Sequence, residues 1–301
     1  MIRSWARYVA AAYPPRLHVP VMLLWSAGLT ALYADTDPRV ARWRPGAGLA
    51  LTAATLVVDM LLLRALDDLR DHAFDREHHP ERPLPAGLLS ERQLRALIAV
   101  GVALVLAANA WRGTAVLILA AHLGYTVTAV AVDRLAGRPR RDAVMAQLAV
   151  NLPIQPLLSL YVYAAFLRDA HLGPRPGGVA DVLVVSLAAL CLEFGRKASR
   201  RTRPGGRTYS TVLGPLGTST AAVACAFAAA AIALAGLRPW QGGTGAIAWG
   251  WLVVLPTALP TAAAVRFAAG AVRWPVAPTL LYLPALYLSF VTAVLLAKGM
   301  S

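Results

Sequence analysis

Four aspartates stand close together in the first third of the chain, at positions 67, 68, 71 and 75. If the apolar run before them continues as a helix, Asp68, Asp71 and Asp75 fall on one face of it. Carboxylates that close together repel one another unless a cation neutralises them. Oxygen ligands are those that Mg²⁺ prefers, and Mg²⁺ held by a few carboxylates keeps room for phosphate oxygens. The spacing therefore predicts a Mg²⁺ site for a phosphorylated substrate, and the alternative is a solvated charged loop.

Apolar residues come in blocks long enough to cross a lipid bilayer. Of the 301 residues, 58% are hydrophobic and 15% are charged, with a mean hydropathy of +0.57, whereas soluble domains carry about 25% charged residues. Nine blocks reach the roughly 20 residues that a membrane-spanning helix needs. They lie at about 17–34, 46–66, 92–109, 112–132, 143–166, 178–195, 212–236, 246–269 and 275–297. The blocks do not alternate as strands do, so we predict one domain over 1–301, an all-α polytopic membrane bundle of about nine transmembrane helices.

The positive charge of the chain predicts its orientation in that membrane. The net charge is +14, with 29 lysines and arginines. A basic protein can bind nucleic acid, but in membrane proteins Lys and Arg collect in cytoplasmic loops. Most of the 29 fall in alternate loops when the N-terminus is placed inside. We therefore expect a cytoplasmic N-terminus, a cytoplasm-facing active site and no nucleic-acid partner. Composition rich in Ala and Arg is typical of high-GC bacteria, for which the membrane would be the inner one.

Two polar segments on the predicted cytoplasmic side combine acidic and basic residues. The first covers about 64–92, and the second covers about 193–214 with Glu193, Arg196 and Lys197. A prenyl diphosphate requires such a combination, because Mg²⁺ and cationic side chains neutralise the diphosphate while its allylic C–O bond ionises. The resulting carbocation needs a dry apolar cavity, which a helical bundle in lipid supplies. The two segments therefore predict an enzyme that acts on an isoprenyl diphosphate.

The first segment also resembles the signature of a known family. Asp67-Asp68-x-x-Asp71-x-x-x-Asp75, followed by Arg82-Pro83 and Gly87, is similar to the first motif of the UbiA superfamily of intramembrane prenyltransferases, which usually begins with Asn where this chain has Asp67. The resemblance implies nine helices with active loops after the second and sixth, and Mg²⁺-dependent use of an isoprenyl diphosphate. It also implies that the last three of these aspartates hold the metal and diphosphate with help from the first, and it makes Arg82 a candidate diphosphate ligand.

The second segment departs from the pattern of that family. The family carries a further Asp-x-x-x-Asp after its sixth helix, whereas Glu193 is the acid found here and Lys197 stands where a second carboxylate is expected. We expect Glu193 to act as a single carboxylate or in a salt bridge. Arg196, Lys197 and Tyr209 are the candidates to bind the diphosphate directly, with the two cations replacing part of the Mg²⁺ charge, and Lys197 and Glu193 are also candidate catalytic residues. The alternative is that the cations of this segment only anchor the chain to anionic lipid headgroups.

Polar side chains inside the apolar blocks are candidates for binding an acceptor, because burying them in a membrane is costly. Gln147, Asn151 and Gln155 share one helix face, and Tyr161 follows in the same block. We expect Asn151, Gln155 and Tyr161 to line the substrate pocket, and the alternative is hydrogen bonding between helices. Asp59 either faces the cavity or pairs with a partner that the sequence does not identify.

The sequence leaves three functions open. The leading one is transfer of an isoprenyl group to an aromatic or lipid acceptor. A terpene cyclase would share the ionisation step, but its cation would attack its own double bonds. The third is a transporter or a non-catalytic binding protein, which is disfavoured because transporters place charges near the bilayer midplane and nearly all acids of this chain lie at the predicted cytoplasmic end.

Overall fold

Helices make up the architecture, with no β-strand in the part of the chain that the structure describes. The structure is a computed structural model that describes residues 2–136, 144–201, 208–241 and 246–299. In chain order the helices are α1 Ile2–Ala12, α2 Pro15–Thr36, α3 Ala47–His78, α4 Glu91–Asn109, α5 Thr114–Ala136, α6 Val144–Asn151, α7 Ile154–Asp169, α8 Pro176–Arg196, α9 Ser210–Leu237, α10 Ala258–Ala268 and α11 Val276–Lys298. Two 3-10 helices, Ala110–Arg112 and Ala246–Thr257, continue α4 and precede α10.

Nine helical spans within the described ranges are long and apolar enough to cross a membrane. This confirms the predicted class of polytopic all-α bundle, and each predicted block overlaps one span. α6 and α7 together form the fifth span, Val144–Asp169, which bends near Pro153, where a proline removes a backbone donor. The eighth span, Trp249–Ala268, begins in the second 3-10 helix and ends with α10.

α3 runs well beyond the end at residue 66 that its apolar block predicts, and it reaches His78. No Gly or Pro interrupts residues 49–78, so the backbone has no reason to leave the helix when the sequence turns polar. Ion pairs between side chains three or four residues apart reinforce these last turns, with Arg64 2.8 Å from Asp68 and Arg70 3.0 Å from Asp67. All four clustered aspartates therefore lie on a helix and not in a loop.

The helices approach one another closely at small residues. α9 packs mainly against α8, and the alanines that it buries completely are Ala222, Ala226, Ala229 and Ala233. Gly28 of α2 lies directly against Tyr287 of α11, where an added Cβ would come within 2.6 Å of the tyrosine Cβ. Small residues at such crossings allow the backbone-to-backbone contact that drives helix association in membranes.

A buried polar network ties together the end of the bundle opposite the aspartates. Arg112 is fully buried, and its guanidinium donates to Gly48 O and to Asp169 at 2.7 Å each. The phenol of Tyr161 donates to Asn109 at 2.9 Å and accepts from Arg112 at 3.3 Å. The network connects α3, α4 and α7, so this end of the bundle is held by hydrogen bonds that lipid cannot replace.

Candidate active site

A cavity of about 460 Å³ opens where α3, α5 and α8 reach their polar ends. Aliphatic side chains form its inner wall: Leu63, Leu66, Val130, Leu148, Ile154 and Leu190. Charged and phenolic groups from the polar part of α3, the ends of α5 and α8 and the segment after α8 form its rim: Asp67, Arg70, Asp133, Glu193, Arg196, Lys197 and Tyr209. This arrangement suits an amphiphile with an anionic head and an apolar tail.

Arg70 holds three carboxylates together on the α3 side of this cavity. Its guanidinium lies 3.0 Å from Asp67, 3.2 Å from Asp71 and 3.8 Å from Asp133 of α5. The Arg70 side chain is 18% exposed, whereas that of Asp67 is 49% exposed. The chain thus supplies an internal cation that offsets the repulsion between these carboxylates, and Asp67 stays open to the cavity.

Asp68 and Asp75 are buried on the other edge of the α3 face. The phenol of Tyr8 in α1 donates to Asp68 at 2.8 Å, and Arg82, in the loop after α3, donates to both oxygens of Asp75 at 2.8 Å. Burial, together with the charge of Asp68, raises the pKa of Tyr8, so its phenol remains a donor at neutral pH. The hydrogen bond to Asp75 raises the pKa of Arg82. These contacts fasten α1 and the loop to α3.

The four aspartates therefore divide into two pairs with different surroundings. Asp67 and Asp71, one turn apart, share Arg70 beside the cavity, whereas Asp68 and Asp75 are both less than 4% exposed. At 100° per residue the four spread over roughly 100° of the helix surface, which is wide enough for its two edges to meet different neighbours. Of the four, Asp67 alone is among the residues that line the cavity; Asp71 reaches its edge through Arg70, and Asp68 and Asp75 face away.

Glu193 accepts contacts from three donors on the α8 side of the cavity. Its carboxylate lies 2.6 Å from Lys197 and 2.7 Å from Arg196, and Tyr209 donates to it at 2.9 Å. Lys197 Nζ also lies 5.2 Å from the centroid of the Tyr209 ring, within reach of a cation–π interaction. Burial, together with the charge of Glu193, raises the pKa of Tyr209.

All four of these side chains line the cavity, so the predicted diphosphate candidates of the second segment lie together. Residues 202–207 of that segment lie outside the described ranges.

The polar row of the fifth span lies partly at the cavity. Gln147, Asn151 and Gln155 line it, and the Gln155 amide donates to Ser159 at 3.3 Å. Tyr161, expected in the same pocket, lies outside it because its phenol belongs to the Arg112 network at the opposite end of the bundle. A tyrosine buried in a membrane bundle is placed by the partner of its hydroxyl.

Three partners of the candidate residues are not evident from sequence patterns. Arg70 stands at an unspecified position of the aspartate motif, Asp133 directly follows the fourth apolar block, and Tyr8 lies in the segment before the first block. Their roles depend on which helix ends meet. The same holds for Asp59, whose carboxylate lies 3.0 Å from His122 of α5 with both side chains fully buried.

The side chains beside Arg70 fit a Mg²⁺ ion that is shared with a substrate. Asp67 and Asp71 offer carboxylate oxygens, and Mg²⁺ is commonly held by one or two carboxylates plus substrate phosphates. Across the described ranges no three or more His, Cys, Asp or Glu side chains are grouped so that they could hold a metal. The donor set therefore suits an ion that is completed by phosphate oxygens and not a cage made only by protein.

Comparison with known proteins adds one finding on the fold. No protein-family model matches the chain, and no curated protein matches it. Among solved structures the chain is similar to the apo structure of a UbiA homolog from Aeropyrum pernix K1, with a TM-score of 0.62 and 21% sequence identity. The match covers 91% of this chain and 96% of that one. At this level of identity the likeness is one of fold, and the chain therefore has the polytopic helical fold of a UbiA homolog.

Proposed function

We propose that the chain is an intramembrane prenyltransferase of the UbiA superfamily, located in the bacterial inner membrane. It would ionise an isoprenyl diphosphate with the help of Mg²⁺ and transfer the prenyl group to an aromatic or lipid acceptor. The observation that carries the proposal is one cavity in which an aliphatic wall leads to a rim of carboxylates and cations, Asp67 and Arg70 on α3 and Arg196 and Lys197 at the end of α8.

The rim binds the diphosphate by exchange of partners. Arg70, Arg196 and Lys197 each contact a carboxylate of the chain, so a diphosphate can take over these cations without leaving any of them unpaired in the apolar bundle. Mg²⁺ held by Asp67 and Asp71 would neutralise further charge on the leaving group. Tyr209 donates its one phenolic hydrogen to Glu193, so that carboxylate keeps a partner when Arg196 and Lys197 contact the diphosphate.

The aliphatic wall then determines the fate of the prenyl chain. The allylic C–O bond breaks, its electron pair stays on the diphosphate oxygen, and an allylic cation is left among side chains such as Leu63, Val130 and Leu190. These groups exclude water, which would otherwise capture the cation. An acceptor whose polar head is held by the amides of Asn151 and Gln155 supplies the electron pair of the new bond and afterwards loses its proton.

A terpene cyclase on the same fold is the second candidate function. The observation in its favour is the second polar segment, where Glu193 contacts Arg196, Lys197 and Tyr209 in place of a second pair of aspartates. In this case the cation would be attacked by a double bond of its own chain inside the cavity.

The decisive experiment supplies geranyl, farnesyl and geranylgeranyl diphosphates to the purified chain in nanodiscs with Mg²⁺. Release of diphosphate only after an aromatic or lipid acceptor is added, together with a prenylated product, is the result expected of the transferase. A cyclic hydrocarbon formed without an acceptor would show that the chain is a terpene cyclase and not a transferase. No diphosphate release under either condition by a folded protein would contradict both, and would favour a transporter or a binding protein.

A further inference from the structure

A second cavity, of about 440 Å³, adjoins the first and is lined by four cationic side chains. These are Arg196, Lys197, Arg201 and Arg273, together with Thr208 and Trp274. Arg196 and Lys197 line both cavities. The two spaces therefore have a common cationic border, although only the first has the long aliphatic wall.

The walls of this second cavity are held in place by contacts of the protein itself. An isolated β-bridge pairs Ser199 with Arg273, and Trp274 N donates to Ala198 O at 3.3 Å. The Arg200 guanidinium donates to Phe267 O at 2.9 Å. The segment after α8 is thus fastened to the connection between α10 and α11, so the cavity is preformed and does not need a ligand to assemble it.

The charges that line this cavity are not balanced by acids. No Asp or Glu is among its described lining residues, and of the four cations the Glu193 carboxylate contacts Arg196 and Lys197. Arg201 and Arg273 are exposed, and neither forms an ion pair with a carboxylate within the described ranges. There too, the buried Thr208 hydroxyl makes no hydrogen bond. A buried hydroxyl normally has a partner, and an oxyanion among these four cations would provide one for Thr208.

We propose that this second cavity is a phosphate-binding site, and that the anion it takes is the inorganic diphosphate released in the first cavity. The identity of that anion rests on the proposed function. Because Arg196 and Lys197 border both cavities, the leaving diphosphate can move from one to the other without losing its contact with cations. The phosphate of a lipid headgroup has the same chemistry and is the other possible source of the ligand.

The test is calorimetric titration of the full chain, in phosphatidylcholine nanodiscs without Mg²⁺, with inorganic pyrophosphate. We expect the wild type to bind it at two sites, and Arg201→Gln/Arg273→Gln to weaken one of them at least about tenfold, since two charge-assisted hydrogen bonds are lost. The matched control is Arg42→Gln/Arg44→Gln, two exposed arginines that line a different cavity, beside the connection between α2 and α3; this variant should bind as the wild type does. Equal binding by both double variants would overturn the proposal.

Two further experiments separate loss of binding from loss of folding and identify the source of the phosphate. Thr208→Val removes only the idle hydroxyl and should weaken pyrophosphate binding severalfold without lowering the thermal midpoint; unchanged binding would count against the site. Adding phosphatidylglycerol to the nanodiscs should leave the second binding event in place if diphosphate is the ligand. If phosphatidylglycerol abolishes the second binding event of the wild type, the site binds lipid headgroups, and the proposal that diphosphate is its ligand is contradicted.

Binding of a non-ionising prenyl thiolodiphosphate separates this proposal from the proposed function. The Arg201→Gln/Arg273→Gln variant should bind that analogue within about twofold of the wild type, because the first cavity keeps its own cations. If neither the wild type nor the double variant binds the analogue, the prenyltransferase proposal is contradicted. If the double variant still binds pyrophosphate more weakly than the wild type, the phosphate site stands.

Discussion

At the rim of the first cavity, each acid lies next to a cation that the chain itself supplies. Asp67 and Asp71 share Arg70, and Glu193 shares Arg196 and Lys197. Ion pairs that are partly exposed at such a rim contribute little to stability, so their exchange for contacts with a diphosphate costs little. The buried carboxylates of Asp68 and Asp75 behave differently. They are only 2–3% exposed, so water cannot solvate them when a partner is removed.

Lys197→Met should weaken binding of a prenyl thiolodiphosphate about tenfold or more, because one charge-assisted contact to the diphosphate is removed. Calorimetry on the purified protein measures this. Since the substitution leaves Glu193 without Lys197, the double variant Glu193→Gln/Lys197→Met should be measured beside it.

The matched control for that measurement is Arg95→Met. Arg95 forms an ion pair with Glu91 at the same four-residue spacing and at the same distance of 2.6 Å, but it lies on α4 and does not line the cavity. Wild-type affinity in both Lys197 variants would show that this cation serves only as an anchor to headgroups.

Asp67→Asn should change the Mg²⁺ requirement of the activity, whereas Asp75→Asn should lower the stability. Asp67 is half exposed beside the cavity, so its amide should raise the Mg²⁺ concentration needed for half-maximal activity by roughly tenfold and leave the thermal midpoint unchanged. Asp75 holds Arg82 from a buried position, so its amide should lower the thermal midpoint by several degrees. Activity against Mg²⁺ and thermal unfolding are both recorded; a changed Mg²⁺ requirement for Asp75→Asn alone would reverse the assignment.

At the scale of the helices, the site is positioned by the polar ends of the helices and by small residues where two helices cross. The uninterrupted course of α3 to His78 carries its aspartates out to the ends of α5 and α8. The break between α6 and α7 brings Asn151 and Gln155 to the same space. Close contacts such as that of α2 with α11 hold these helices at fixed distances, because there is no room between the two backbones for an added methyl group.

Gly28→Ala should therefore destabilise the bundle by about 1–3 kcal/mol, the usual cost of overpacking. Its Cβ would lie 2.9 Å from the backbone Cα of Tyr287, which cannot move aside as a flexible side chain can. Thermal unfolding in detergent measures the effect. Gly124→Ala on α5 is the matched control, because nothing lies within 4 Å of its added Cβ, and it should be neutral or slightly stabilising through helix propensity. Equal midpoints for the two variants would contradict the close-packing argument.

At the scale of the whole molecule the two ends of the bundle are built differently. One end carries the two cavities that Arg196 and Lys197 border, and the positive-inside rule predicts that this end is cytoplasmic. The opposite end is closed by the network of Arg112, Asn109 and Tyr161. Under the proposed function and this predicted orientation, substrate would enter and diphosphate would leave from the cytoplasmic side.

This orientation predicts the outcome of cysteine labelling. In a background with Cys191 and Cys225 changed to Ala, a membrane-impermeant maleimide should label Arg42→Cys in intact spheroplasts, and should label Glu77→Cys only after the membrane is opened. Both positions are exposed, so accessibility to the reagent and not burial decides the result. The reverse pattern would place the cavities on the outer side.

Local patterns in the sequence were sufficient for the class of fold and the nine spans. The start of α4 is also local, because the side chains of Ser90 and Gln93 form a capping box. Hydropathy and capping depend on neighbours along the chain, so a single sequence contains them. The same patterns identified Asp67, Glu193, Lys197 and Asn151 as candidates, but they did not show which distant segments meet at the site. Three contacts join segments that are far apart in the chain: Arg70 with Asp133, Tyr161 with Arg112, and Asp59 with His122. Only the packing of the helices decides such contacts, because it determines which edge of each polar face meets a cavity and which edge meets another helix.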